Sequence, residues 1–234
     1  MLSGARDPLP ILAALEDETR RGLYLFVRSN DAPVTRDGAA AHVGISTRLA
    51  AFHLDKLVEL GLLDAHYARK PGRSGPGAGR TSKYYRPSAL ELDISIPERR
   101  YAFLGEILVA AIGAEGRDES AREAAVRIVG EHGREVGRAA RRPKGGGRMG
   151  RRRSLDAARE ILSRFGFEPI ERDEGTITLR SCPYDRLARG APDVVCGINH
   201  AFVEGVLRGL GAGSVEASLE PTEGECCVRV RASG

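Results

Sequence analysis

Two basic stretches without any acidic residue divide this chain and limit how it can fold. The stretch 69–86 combines its arginines and lysines with glycine and proline, and 138–153 does the same with eight basic residues. Glycine and proline at this density exclude a regular helix throughout either stretch. We therefore predict a long loop at about 70–82 and an interdomain linker later in the chain. The predicted divisions are 8–95, a helical connector at 96–140, the basic linker at 141–153, and a C-terminal domain at 154–234.

Composition excludes several classes of protein. The longest uninterrupted apolar run, Ile107 to Ile112, is far shorter than the roughly 20 residues that span a bilayer. Acidic residues at 16–18 precede any long apolar stretch, so no secretory signal is visible and a cytoplasmic location is expected. Four cysteines in 234 residues are too few for a disulfide scaffold and favour metal, cluster or redox chemistry.

Helix-capping residues in the first hundred positions predict a helix-turn-helix. Thr35 can cap a short helix that ends at Gly44, and Ser46 can cap a second helix that ends near Gly61. Two helices joined by a turn that contains glycine are typical of this motif. Residues 62–68 and 82–86 then read as two strands of a hairpin around the basic loop.

The same segment resembles the winged helix-turn-helix of ArsR-like bacterial transcriptional regulators. The resemblance lies in Leu15-Glu16-Asp17-Glu18-Thr19-Arg20-Arg21, in Gly44-Ile45-Ser46, and in His53-Leu54-Asp55-Lys56-Leu57-Val58-Glu59-Leu60-Gly61-Leu62-Leu63, and it covers roughly residues 10–90. It implies double-stranded DNA as the partner. The overall expectation is a mainly α chain with α+β parts, made of an N-terminal winged helix, a helical dimerisation segment and a small α+β sensor domain.

The helix after Ser46 is expected to enter the major groove, where base edges carry a readable hydrogen-bonding pattern. Arg48 is the best base reader because a guanidinium can pair bidentately with guanine. Phe52 is not assigned to DNA, since an aromatic residue is more often in the core, and His53 fits a phosphate contact or a packed, hydrogen-bonded position. The expected DNA-binding residues are Ser46, Thr47, Arg48, Ala51 and Lys56, with Arg73 and Arg80 of the hairpin loop on the backbone or minor groove.

Two amphipathic helices, at about 99–114 and 119–139, are predicted in the connector. The first carries an apolar face with small residues. That face can pack against the second helix or against another copy of the chain, and the two uses are compatible. A homodimer is expected because a single winged helix contacts only one half-site.

The four cysteines fall in the C-terminal part, which reads as a small α+β domain. The segment from Cys182-Pro183-Tyr184 through Cys196 to Gly224-Glu225-Cys226-Cys227-Val228 resembles the sensor domain of winged-helix repressors that control iron–sulfur cluster assembly. In that family three cysteines at comparable places hold a cluster, which implies Cys182, Cys196 and Cys226 here.

Cysteine sulfurs that converge from separate elements suit an iron–sulfur cluster or a tetrahedral zinc ion. Neighbouring residues of a strand point to opposite faces, so only one of Cys226 and Cys227 is expected to join Cys182 and Cys196. The fourth ligand stays open among His200, Asp185, a small molecule and water. A thiol–disulfide switch without metal and inert buried thiols are the alternatives.

Catalytic motifs are absent from the sequence, which predicts a protein that is not an enzyme. The leading hypothesis is a homodimeric, DNA-binding transcriptional regulator that senses redox or iron–sulfur status through its cysteines. A second hypothesis keeps the DNA-binding half and gives the C-terminal domain a small organic effector. A third is a redox or cluster-transfer protein that does not bind DNA.

Overall fold

The computed structural model describes residues 8–68, 81–141, 149–173 and 175–233. It is a mixed α+β structure with two small antiparallel sheets, and its contacts divide the chain into two units, Met1–Ile94 and Ser95–Gly234. The helices predicted at 96–140 belong to the second unit, together with the cysteine-bearing part. Within the described residues, no helix combines the length and the apolar character that crossing a membrane requires.

Short polar caps set the helices of the first unit. Asp17 accepts a hydrogen bond from the backbone of Arg20, and Ser46 accepts one from Leu49, so each satisfies a free amide at a helix start. Gly44 closes a helix in the left-handed conformation, with φ of 76°, as the sequence predicts. The helices are α1 (Leu9–Glu16), α2 (Glu18–Arg28), α3 (Arg36–Val43) and α4 (Thr47–Glu59).

A three-stranded antiparallel sheet completes this unit. Its strands are β1 (Val34–Thr35), β2 (Leu63–Ala68) and β3 (Ser82–Pro87), in the order β1-β3-β2. Leu54 and Leu57 of α4 pack with Leu23 of α2 and Tyr85 of β3 in one core. This core fixes which face of α4 points outward.

The second unit is built around two helices in unusually close contact. Its helices are α5 (Tyr101–Ala114), α6 (Ala121–Ala140), α7 (Arg151–Arg164), α8 (Asp185–Gly190) and α9 (Pro192–Leu210). A Cβ atom on Gly133 of α6 would lie 2.3 Å from the carbonyl oxygen of Phe202, and one on Gly209 of α9 would lie 2.2 Å from that of Arg134. Glycine is therefore required on both helices for their backbones to approach this far.

A four-stranded antiparallel sheet covers α9 and carries the loop with the last two cysteines. Its strands are β4 (Pro169–Asp173), β5 (Thr176–Leu179), β6 (Val215–Leu219) and β7 (Val228–Ala232), in the order β4-β5-β7-β6. Helix α7 begins at Arg151, inside the expected linker, and β7 begins at Val228, after the two cysteines that were expected in the last strand. The short helix α8 was not predicted.

Candidate functional site

The outward face of α4 presents an arginine and an aromatic ring one turn apart. Arg48 is exposed, and the described residues give it no hydrogen-bond or ion-pair partner. Phe52 follows four positions later, and 65% of its surface is exposed. Residues separated by four positions lie on the same face of a helix. Arg48 and Phe52 are therefore both available to a partner.

The other residues expected on this face are partly buried or already have hydrogen-bond or ion-pair partners. The hydroxyl of Ser46 accepts a hydrogen bond from the Leu49 amide at 3.3 Å, so it caps the helix. Thr47 and Ala51 are half-buried. Lys56 pairs with Glu59 at 2.9 Å on the last turn of α4. The sequence-based list thus contains one unpartnered exposed side chain on α4, Arg48, within the part of the chain that the structure describes.

Phe52 is exposed, contrary to the expectation that an aromatic residue here lies in the core, whereas His53 takes one of its two expected positions. His53 is buried, and its Nδ1 lies 3.4 Å from Nε of Arg20, so it occupies the packed and hydrogen-bonded position. Phe52 is the residue that sequence reasoning left out. Its spacing from Arg48 was the available signal, because position i+4 shares the face of position i.

Two side chains of strand β3 form hydrogen bonds with one carboxylate of α4. Lys83 donates to Oδ1 of Asp55 at 2.6 Å, and the Tyr85 hydroxyl donates to the same oxygen at 2.8 Å. Burial and this hydrogen bond raise the pKa of Tyr85 well above its ordinary value. The hairpin is therefore held against the second half of α4. Arg73 and Arg80 of the hairpin loop lie outside the described residues.

The four cysteines of the second unit line one cleft of about 680 Å³, here called the cysteine cleft. Cys182 lies between β5 and α8, Cys196 on the second turn of α9, and Cys226 and Cys227 in the loop before β7. Cys226 and Cys227 are buried and the other two are partly buried. The remaining lining comes mainly from Arg99, Arg180, Asp185, Arg189 and the loop 221–225.

The expectation that only one of Cys226 and Cys227 faces this site is wrong. It assumed that both residues belong to the last strand, where side chains alternate between faces. The strand begins at Val228, so both cysteines precede it and the alternation does not apply. The Cys226 amide donates to the carbonyl of Leu179 at 2.8 Å, and the Cys227 carbonyl accepts from Glu220 at 2.7 Å, which holds the loop between two strand ends.

The side chains of Cys182, Cys226, Cys227 and Cys196 interact with one another, and these interactions shift the pKa of three of the four thiols. The hydrogen bond to Cys226 and burial raise the pKa of Cys182 far above its ordinary value, and burial raises that of Cys196. For Cys226 the hydrogen bond from Cys182 lowers the pKa, while the bond to Cys227 and burial together outweigh it and raise the pKa to about 12. The cysteines for which a shift is resolved are therefore neutral thiols near pH 7 in this arrangement.

One buried amide and one arginine form hydrogen bonds with the cysteine residues of this cleft. Asn199 of α9 is fully buried, and its Nδ2 donates to the sulfur of Cys226 at 3.1 Å. Its Oδ1 has no hydrogen-bond partner. Arg99 donates to the Cys182 carbonyl at 2.8 Å and fixes the loop that carries this cysteine.

The donor set suits a metal centre in chemistry but not in its present arrangement. Thiolates bind iron–sulfur clusters and zinc, and hydrogen bonds to the sulfurs are a usual part of such sites. In the described part of the chain, no three His, Cys, Asp or Glu side chains are arranged as a group that could hold a metal ion. As arranged, the residues of the cleft therefore do not form a site that fits such a centre.

The two protein residues considered as a fourth ligand interact with other groups. The ring of His200 hydrogen-bonds through Nε2 to the carbonyl of Ala217 at 3.1 Å, and His200 does not line the cleft. Asp185 lines the cleft and forms an ion pair with Arg189 on the next turn of α8.

Comparison of the chain with models of known protein families, with curated proteins and with solved structures finds no match.

Proposed function

We propose that this protein is a homodimeric, DNA-binding transcriptional regulator whose second unit binds an iron–sulfur cluster at the cysteine cleft. The observation that carries the proposal is the exposed, unpartnered Arg48 on the second helix of a helix-turn-helix that is followed directly by a hairpin. The proposal includes the winged-helix assignment of the first unit and its use on double-stranded DNA.

The element order of the first unit supports that assignment. Helices α3 and α4 are joined by the turn Gly44-Ile45-Ser46, and the hairpin β2–β3 follows α4. In helix-turn-helix proteins the second helix lies in the major groove and its N-terminal residues contact base edges. Arg48 is the second residue of α4, which is where a base-reading guanidinium belongs.

Phe52 adds an apolar contact to this reading surface. Its exposed ring lies one turn after Arg48, and apolar side chains in the major groove recognise the methyl group of thymine. We therefore assign Arg48 and Phe52 to base contacts. Arg73 and Arg80 remain assigned to the backbone or minor groove, where each phosphate contact steepens the salt dependence of binding.

The proposed dimer forms through α5. Leu104, Ile107 and Ala111 of this helix are buried within the second unit, whereas Val109 and Ile112 are 72% and 66% exposed. One face of α5 thus packs within the second unit, and the described residues leave the opposite face, which carries Glu106 as well as these two apolar side chains, uncovered. A second copy placed on that face gives the two-fold symmetry of a palindromic operator.

The cleft is linked to the helical part of the second unit by α9. This helix carries Cys196 and Asn199 near its start and the glycines that touch α6 further along. A cluster, when bound, would supply a redox-active and oxidant-labile centre there. Because α6 and α9 are in backbone contact, a displacement of α9 at the cleft is passed directly to α6, which packs in the same core as α5.

A small organic effector is the second candidate. The cleft volume of about 680 Å³ lies within the ordinary range for small-molecule sites. Its lining includes Arg99, and also Arg180 and Arg189, which form ion pairs with Glu168 and Asp185. Replacing Cys182 and Cys196 together by serine separates the two candidates. Regulation that survives this double replacement favours the organic effector.

The experiment for DNA binding begins with selection of duplexes from a random pool by the full-length chain. Arg48→Ala is expected to weaken binding to the selected site by about 1–3 kcal/mol and to relax the preference at one base position. Arg28→Ala removes an exposed arginine from α2 and is the charge-matched control. Selection that enriches no sequence, or two variants that behave alike, would contradict the proposal.

A further inference from the structure

We infer that the second unit has a DNA-binding surface of its own, here called the arginine surface, where the end of α6 and the start of α7 bind the phosphate backbone of duplex DNA. The surface consists of Arg138, Arg141, Arg151 and Arg153. The inference rests on the proposed DNA-binding function and adds a second contact that depends neither on α4 nor on the hairpin loop.

The turn at 211–214, between α9 and β6, brings the two helix ends together. A Cβ atom on Gly211 would lie 3.5 Å from Cζ of Arg141, so this guanidinium lies directly against the turn. Three residues later, Oγ of Ser214 lies 3.2 Å from Oγ of Ser154, which is fully buried in the first turn of α7. The end of α6 and the start of α7 therefore border the same four residues.

All four guanidiniums of the arginine surface are available to a partner. Each side chain is exposed, and the described residues give none of them a hydrogen-bond or ion-pair partner. Arg138 and Arg141 are three positions apart, a spacing that places both on one face of a helix. Side chains of a helix tilt toward its N-terminus, so Arg151 and Arg153 in the first turn of α7 reach toward the end that borders the turn at 211–214.

The neighbouring carboxylates leave the arginine surface with a net positive charge. Asp156 and Glu171 pair with Arg152, at 3.6 and 2.9 Å. Glu135 and Glu216 are exposed and form no ion pair among the described residues, so two free carboxylates face four free guanidiniums. Cations at the start of a helix are unfavourable because the helix dipole is positive there, so the arginines of α7 do not stabilise it. Binding of a polyanion accounts for their presence, whereas helix stability does not.

The chemistry of these side chains favours a DNA backbone over an anionic membrane. A guanidinium binds two phosphate oxygens at once, and each DNA strand offers a phosphate about every 3.4 Å. Segments that lie on membranes place large apolar side chains beside the basic ones. Within the described residues of 138–141, 149–153 and 211–214, no large apolar side chain is exposed. Contacts to phosphate carry no sequence information, so this surface adds affinity for any duplex.

The test measures the affinity of the full-length chain for a duplex of random sequence at several salt concentrations. Two double variants remove the surface one helix at a time: Arg138→Gln with Arg141→Gln, and Arg151→Gln with Arg153→Gln. Each should reduce the slope of log affinity against log salt concentration by roughly 1.8, because each lost phosphate contact removes about 0.9. Arg117→Gln with Arg186→Gln is the matched control and should leave the slope unchanged, since both arginines are exposed and have no partner among the described residues.

Lysine at the same four positions keeps the charge and should keep most of the slope, which separates a lost phosphate contact from a lost fold. An unchanged slope in either glutamine variant, or an equal loss in the control, would overturn the inference. The proposed function survives that result if Arg48→Ala still weakens binding to the selected site.

Two further outcomes separate the inference from the proposed function and from a membrane role. Duplex binding that depends on the four arginines but shows no sequence preference would support the inference and defeat the proposed regulator. Binding to phosphatidylserine vesicles that depends on these arginines, without such dependence for the duplex, would overturn the inference. A wild type that binds no duplex would overturn both.

Discussion

Asn199 Nδ2 lies 3.1 Å from the sulfur of Cys226, and this hydrogen bond joins the first half of α9 to the loop before β7. The amide is fully buried, and its oxygen has no partner. A buried polar atom without a partner carries a free-energy cost, so the presence of an asparagine at this place is better explained by its donor than by its packing.

Replacing this amide should therefore affect the proposed cluster more than the fold. In Asn199→Leu the donor and the unpaired oxygen are both removed at similar volume, so the free energy of unfolding of the metal-free protein should change by less than about 1.5 kcal/mol. The reduction potential of the cluster should fall, because hydrogen bonds to the sulfurs favour the reduced form. Chemical denaturation and an anaerobic potentiometric titration measure the two quantities. An unchanged potential would show that the amide does not act on the centre.

Substituting a glycine of α6 tests how closely α6 and α9 pack. In Gly133→Ala the new Cβ would lie 2.3 Å from a backbone oxygen, so the helices must separate, and we expect the free energy of unfolding to drop by about 3 kcal/mol. Gly130→Ala is the matched control on the same helix, since its Cβ would lie 3.6 Å from the Ala201 oxygen. That variant should be neutral or up to about 1 kcal/mol more stable, because alanine favours helix over glycine. Equal effects of the two substitutions in urea denaturation would contradict the close approach.

Tyr85 should make the free energy of unfolding of the first unit fall at alkaline pH. Its pKa is raised in the folded state, so the neutral phenol stabilises the fold fully below about pH 10, the ordinary tyrosine pKa. That contribution is lost as the pH rises further, at up to about 1.4 kcal/mol per pH unit. Tyr85→Phe should lose about 1 kcal/mol at pH 7 with its hydrogen bond to Asp55, and its stability should fall less steeply above pH 10.

Urea denaturation between pH 7 and pH 11 measures this difference. Tyr67→Phe is the control, because it removes a hydroxyl from a side chain that is 70% exposed. Parallel stability curves for wild type and Tyr85→Phe would refute the raised pKa.

The exposed face of α5 predicts how the dimer can be broken. Val109→Glu together with Ile112→Glu places two charges on the surface assigned to the second copy and should convert the dimer to a monomer at micromolar concentration, because buried unpaired charges are costly. Leu219→Glu alters another exposed apolar residue of the same unit and should leave the dimer intact. Sedimentation equilibrium distinguishes the two states. A monomeric wild type, or a dimeric double variant, would remove α5 from the interface.

Much of the secondary structure was predicted from the chemistry of neighbouring residues in the sequence. The caps at Thr35 and Ser46 and the left-handed Gly44 are where the sequence predicts them, because each follows from the chemistry of one or two neighbouring residues. The short helix α8 was missed, since six residues carry too little periodicity to be recognised.

The candidate sites depended more on the fold than on local pattern. Phe52 was left out because an aromatic side chain alone does not reveal its exposure, and only the packing of Leu54 and Leu57 shows which face of α4 is free. The position of Cys227 in the cleft was not predicted because strand alternation was applied to residues 226 and 227, which precede the strand. The support from Asn199 depends on how α9 lies against the sheet, which no spacing in the sequence reports.

The most direct test of the whole account compares the DNA affinity of one protein in two states. The full-length chain is purified anaerobically and reconstituted with the proposed cluster, and one half of it is then stripped by a chelator. Affinity for the selected duplex is then measured at one salt concentration. We predict sequence-specific binding by at least one state and a difference between the two of about 5-fold to 150-fold, the usual range of coupling between two sites. Equal affinities, or no preferred sequence in either state, would contradict the account.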